Sequence, residues 1–250
     1  MIMPLSKSQN NGDVPKMGLL VPLYSDPDAT WGKLVEIKQS HPSIEVVAII
    51  NPCNGPSTAI SLPYAEGVRF LMSKGVSVIG YVHTKYGSRN LTVIKSEIDC
   101  YKNWYQLDGI LLDEMANKAG KEAYYADLTK HAKSQGMTLV FGNPGTDTIR
   151  GYVGTVDNLI LYDNHGLPPV ATFDRWALNF GREHFSFLSY GVASLDGDLL
   201  ITLSKHVGYL YVTDQGPENP WNSLPSYLEE LIEMMEISRV YINDLGKIQN

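Results

Sequence analysis

From residue 17 onward the chain alternates short, almost unbroken apolar runs with longer segments that are apolar on one side only. The runs are MGLLVPLY, IEVVAIIN, VSVIGYVH, DGILLDE, MTLVFGN, NLILYDN, HFSFLSY and VGYLYVTD. Runs this apolar predict strands buried on both faces, the pattern of a parallel sheet covered by helices. Between them WGKLVEIKQS, YAEGVRFLMSK, LTVIKSEIDCYKNWY and KEAYYADLTKHAKSQ repeat with helical periodicity, and SLPSYLEELIEMMEISRV follows the last run. Eight strand–helix units in 250 residues predict a single-domain (β/α)8 TIM barrel over residues 17–250. The alternative is a doubly wound open sheet, which usually has fewer strands. That fold often carries a glycine-rich phosphate loop, and neither GxGxxG nor GxxxxGK[ST] occurs here. Residues 1–16, MIMPLSKSQNNGDVPK, lack the apolar core of a signal peptide and are expected to form a flexible N-terminal arm.

Composition narrows the partners. With 44% hydrophobic and 19% charged residues there is ample material for a core. A net charge of −7 argues against nucleic acid, which needs a basic face. No run approaches the length of a membrane span, so no membrane partner is expected. Cys53 sits in a Pro/Gly-rich loop and Cys100 late in a helical segment. A barrel keeps these two too far apart for a disulfide, with Cys53 near the rim and Cys100 well down the third helix.

A TIM barrel builds its site from the C-terminal ends of its strands. The exits here carry Tyr24, Asn51, His83, Asp113 with Glu114, Asn143, Asp163, Tyr190 and Asp214. A polar residue marks any strand meeting water, but a whole ring of them favours a site. Neighbouring strand residues point to opposite faces, so Asp113 and Glu114 cannot both face the barrel axis. Helix-facing positions favour bulky aliphatics, which turns the Ile110–Leu112 line outward and Asp113 inward. Glu114 then lies at the rim. Glycoside cleavage needs a second acid, and Asp163 ends a strand two places away. Carboxylates from backbones roughly 10 Å apart can converge to about 5–5.5 Å, the spacing of retaining enzymes.

The steps Asn51-Pro52 and Asn143-Pro144 hold each asparagine extended, offering amides at the rim for sugar hydroxyls. His83 can orient a carboxylate or bind substrate. Tyr24, Tyr86, Tyr190 and Trp221 offer faces for sugar stacking, although most of the 15 tyrosines must serve packing. No HExxH spacing and no GxSxG elbow occur, so neither a zinc site nor a serine hydrolase is expected, and no cofactor is called for.

The stretches GLLVPLYSDPDATW, VVAIINPCNGP, VIGYVHTKYG, DGILLDE, VFGNPGT and NPWNSLPSYLEELI resemble the spherulin-4 (spherulation-specific family 4) proteins, which include glycoside hydrolase family 135. They run in order from the first strand to the last helix. The resemblance implies a (β/α)8 barrel that cleaves α-1,4-linked N-acetylgalactosamine-rich exopolysaccharide internally, with retention, and that is secreted or at the cell surface. It places the acids of the fourth strand on Asp113 and Glu114. The acid of the sixth strand, usually Glu in a FEN-like context, falls on Asp163 in YDN. Asp is one methylene shorter, which alters the spacing between acid and nucleophile. Two other readings stand beside this one: a non-catalytic carbohydrate-binding or coat barrel, and a metal-assisted hydrolase using His83, Asp113 and Glu114.

Overall fold

A computed structural model describes residues 17–173 and 176–237; the arm assigned to residues 1–16 lies outside them. Eight parallel strands close into a barrel in chain order, β1 to β8. They are β1 (Gly18–Leu23), β2 (Glu45–Ile50), β3 (Ser77–His83), β4 (Gly109–Asp113), β5 (Leu139–Gly142), β6 (Asn158–His165), β7 (Phe185–Tyr190) and β8 (Tyr209–Val212). Closure comes from β1 against β8, pairing Gly18 with Tyr209 and Leu19 with Leu210. All eight apolar runs of the sequence are these strands.

Helices follow β1 to β4: α1 (Ala29–Ser40), α2 (Leu62–Ser73), α3 (Leu91–Tyr105) and α4 (Glu122–Ser134). Short polar side chains set the starts of α1 and α3. Asp28 accepts from the Thr30 N–H and Asn90 from the Thr92 N–H, each at 2.8 Å. Further helices follow β7, as α5 (Gly197–Leu203), and β8, as α6 over 228–237. Leu228, Leu231, Ile232 and Met235 bury one stripe of α6, at the spacing of a helix face.

Two connections depart from eight regular units. A single 3-10 turn (Arg150–Tyr152) lies between β5 and β6, and three such turns between β6 and β7. The segments PGTDTIRGYVGTVD and GLPPVATF supply glycine, proline and threonine where a helix needs straight-chain residues. Tyr152 and Phe173 are buried there and cover the barrel in place of helical side chains.

One glycine sets the packing beneath the candidate site. A Cβ on Gly80 of β3 would lie 2.7 Å from three Tyr101 ring carbons, so α3 reaches the barrel only because that position is bare. Gly80 therefore faces the helices, and Ile79, Tyr81 and His83 face the interior. Cys53 is exposed after β2, Cys100 lies in α3, and both thiols are free.

Candidate active site

Parallel neighbours in register share a face, and His83 pairs with Asp113 as Tyr81 pairs with Leu111. Asp113 therefore points into the barrel mouth, as alternation predicts. Its carboxylate collects three donors. Asn143 Nδ2 reaches Oδ1 at 2.8 Å, and the Tyr81 hydroxyl and the Glu114 backbone N–H also donate.

Asp163 reaches the same space by a different route. On β6, Asn158 lies opposite Phe141 and Ile160 opposite Ser186, and Asn158 Oδ1 accepts from Ser186 Oγ at 2.6 Å. Plain alternation from Asn158 and Ile160 would put Tyr162 inside and Asp163 outside. The register shifts between Ile160 and Tyr162, and Asp163 then pairs with Leu188. That one-residue bulge reverses the phase of the strand end and turns Asp163 inward. Its Oδ2 accepts from Asn143 Nδ2 at 2.8 Å.

One amide nitrogen thus touches both carboxylates, and the facing oxygens of Asp113 and Asp163 are at most twice 2.8 Å apart. Burial, reinforced by the charge of Asp113, pushes Asp163 up to about 6 against the pull of the Asn143 N–H. Burial also raises Asp113, while its three donors and chiefly Tyr81 oppose the rise. With three donors against one, Asp113 is the better-supported anion. Tyr24 completes the wall: its ring meets Tyr81 edge-on at 5.9 Å. Burial first, then the charges of Asp113 and Asp163, keep its phenol protonated.

Glu114 adopts φ +48°, a left-handed conformation that costs a non-glycine residue about 1–3 kcal/mol. Its carbonyl is held by the Tyr86 N–H at 2.7 Å and by Thr84 Oγ1 at 2.8 Å. Thr84 is fully buried and bonds the Tyr125 hydroxyl at 3.0 Å, so the turn after Asp113 is anchored into the helix layer. The negative charge of Glu114 reaches Asp113 and Tyr81.

The remaining residues divide. Tyr190 lies edge-on to Trp221 at 5.9 Å and to His165 at 5.8 Å, an aromatic group on the β6–β8 side of the mouth. The Trp221 carbonyl accepts the Tyr24 N–H at 3.0 Å, joining this group to β1. Tyr86 is 65% exposed. His83 is half-buried, its carbonyl bonded by Arg89 Nη1 at 2.6 Å. Arg89 in turn pairs with Glu97 of α3. Asn51 Oδ1 accepts the Gly55 N–H at 3.0 Å, which ties down its own loop. Asn143 is only 7% exposed, and its amide is committed to the two acids. Asp214 accepts from Ser226 Oγ at 2.5 Å and from the Ser226 N–H at 3.3 Å. Burial raises that carboxyl, but the Ser226 bonds outweigh it and leave it below the usual range, as expected of a loop clasp. Among the described residues no three His, Cys, Asp or Glu side chains group as metal ligands, and His83, Asp113 and Glu114 do not converge in that way. Tyr81 was not singled out from the sequence. Its place two residues before His83, on the same face, was the available signal.

The spherulation-specific family 4 profile matches residues 18–235. Spherulin-4 of Physarum polycephalum is 31% identical over 227 residues, covering 85% of this chain and 68% of that protein. Aspergillus clavatus Sph3, solved in complex with GalNAc, superposes with a TM-score of 0.78 at 23% identity, over 88% of this chain and 98% of that one. The chitinase RmChi1 of Rhizomucor miehei gives 0.52 at 13% identity, over 87% and 99%. At these identities the two superpositions show the shared fold.

Proposed function

The chain belongs to spherulation-specific family 4, and from that premise we propose that it is a retaining, endo-acting glycoside hydrolase of galactosamine- and N-acetylgalactosamine-rich polysaccharide with α-1,4 linkages. One observation carries the reading: two carboxylates at the barrel mouth whose facing oxygens lie within twice 2.8 Å. That separation suits the roughly 5–5.5 Å of retaining enzymes and leaves no room for the water between acids 6.5–9.5 Å apart in inverting ones. The GalNAc bound to Sph3 supports the sugar class.

In this mechanism Asp163 is the general acid. Held near pH 6, its proton passes to the glycosidic oxygen as the bond to the anomeric carbon breaks. Asp113, the anion supported by three donors, attacks that carbon and forms a glycosyl ester. Ionised Asp163 then takes a proton from water, whose oxygen displaces Asp113 and restores the starting configuration. Glu114 orients Asp113 through the strained turn, and Tyr190 and Trp221 offer aromatic faces to the sugars. Secretion or display at the cell surface is part of the same proposal, since a polymer substrate lies outside the cell.

The test is incubation with N-acetylgalactosamine oligosaccharides, with the anomer of the first product read by NMR. Internal cleavage with the α-anomer formed first is expected; β-anomer overturns retention. The second reading, a carbohydrate-binding barrel without turnover, rests on Asp163 being one methylene shorter than glutamate. Sugar binding by calorimetry with no cleavage would select it.

A further inference from the structure

We propose that Asn143 is a positioning residue of the acid pair: its single amide nitrogen fixes the gap between Asp113 and Asp163 and dictates which oxygen of Asp163 carries the transferable proton. The inference rests on the paired-acid reading above.

The Asn143 backbone is pinned on both sides. Its N–H donates to the Leu112 carbonyl and its carbonyl accepts the Met115 N–H, each at 2.9 Å, and Pro144 holds it extended. The side chain has no freedom to swing away, being 7% exposed. Its amide has two hydrogens, and both are used at 2.8 Å, on Asp113 Oδ1 and on Asp163 Oδ2. The reverse orientation would aim the amide oxygen at two carboxylate oxygens, which electrostatics forbids unless both are protonated. The outer end makes no compensating contact, because Asn143 Oδ1 is buried without a partner. A side chain selected for stability alone would not leave a buried acceptor unpaired. Its bonds serve the acids.

Chemistry follows from the donor count. Asp163 Oδ2 accepts from the amide, which leaves Oδ1, the oxygen not held by Asn143, to carry the proton of neutral Asp163. Without the amide no donor lies between the two carboxylates, so each feels the charge of the other undiminished and the pair holds its proton to higher pH. The groups facing the pair are Tyr24 after β1, Tyr81 and His83 of β3, and Glu114 after β4. Burial keeps both tyrosines protonated, so neither adds a charge to the pair.

The experiment uses the full chain, as wild type, Asn143→Ala and Asn143→Asp. The ¹³Cγ signals of Asp113 and Asp163 are titrated by NMR without substrate. In parallel, kcat and KM are measured against pH on an N-acetylgalactosamine oligosaccharide. In Asn143→Ala the upper midpoint of the pair is expected to rise by about one pH unit or more. The alkaline limb of kcat should move with it, and kcat should fall about 100-fold with KM nearly unchanged. Should the alanine variant not fold, Asn143→Asp keeps the shape, replaces the donor by a third carboxylate and is expected to raise the midpoint likewise. Unmoved midpoints in the folded variants, or a raised KM with kcat retained, overturn the proposal; the latter would make Asn143 a sugar ligand. A wild-type protein without turnover defeats the glycosidase reading, while the midpoints still decide the role of Asn143.

Discussion

The ring of Tyr101 lies flat on the bare Cα of Gly80, and its hydroxyl donates to the Tyr81 carbonyl at 2.9 Å. The contact links the outer helix layer to the acid pair, since Tyr81 donates its own hydroxyl to Asp113. Gly80→Ala would drive a methyl group to 2.7 Å from the ring carbons, with Tyr101 fully buried and unable to yield. A loss of about 1–3 kcal/mol in unfolding free energy is expected, read by urea denaturation. An alanine variant as stable as the wild type would mean that α3 shifts without cost.

Tyr81→Phe removes the strongest donor of Asp113 and leaves the ring packing. Losing that bond raises the Asp113 carboxyl further and leaves less of the anion at neutral pH. The acidic limb of kcat/KM should move upward, and turnover should fall about 10- to 100-fold. Near-normal rates with an unmoved limb would show that Asn143 and the Glu114 N–H suffice.

Buried acids also tie stability to pH. Asp163 titrates at about 6 in the folded protein, against about 3.9 in an unfolded chain. Between these values the native state keeps a proton that the unfolded state has released. Stability is therefore full below the unfolded value and falls as pH rises through the folded one, by about 3 kcal/mol. Asp163→Asn should remove most of this slope between about pH 4 and 6. It should also unfold at higher temperature than the wild type at pH 8. A slope unchanged by the substitution would assign it to Asp113.

The strands were legible because burial on both faces writes itself as unbroken apolar runs, from GLLVPL in β1 to YLYV in β8. Asp113 facing inward was legible too, from the alternation with Ile110 and Leu112. Asp163 was named as the partner acid from its place at the end of a strand, but what turns it inward is a bulge. Nothing in NLILYDNH distinguishes a bulged strand from a regular one, since register is settled by the pairing with β7. The fate of Asn143 and Asp214 was hidden for a similar reason. Each side chain is claimed by residues distant in sequence, Asp113 and Asp163 for one and Ser226 for the other. A rim position shows which groups can bind sugar, not which are already bonded to one another.

The roles of the acids separate by leaving group. Asp113→Asn keeps the shape and the bond to Asn143 but loses the charge that attacks the anomeric carbon. Turnover of a galactosamine-rich glycan should fall by several orders of magnitude, whatever the leaving group. Asp163→Asn should be as severe on the glycan, whose sugar alkoxide needs a proton, and far milder on an activated aryl glycoside, which does not. Glu114→Gln is the control. Its left-handed turn survives, and its charge on Asp113 and Tyr81 is lost, so a smaller loss is expected on both substrates. Steady-state rates of the three variants on both substrates decide the matter. If Asp113→Asn turns over normally while Glu114→Gln is dead, Glu114 is the nucleophile, and its strained φ of +48° holds the attacking carboxylate rather than the hinge beside it.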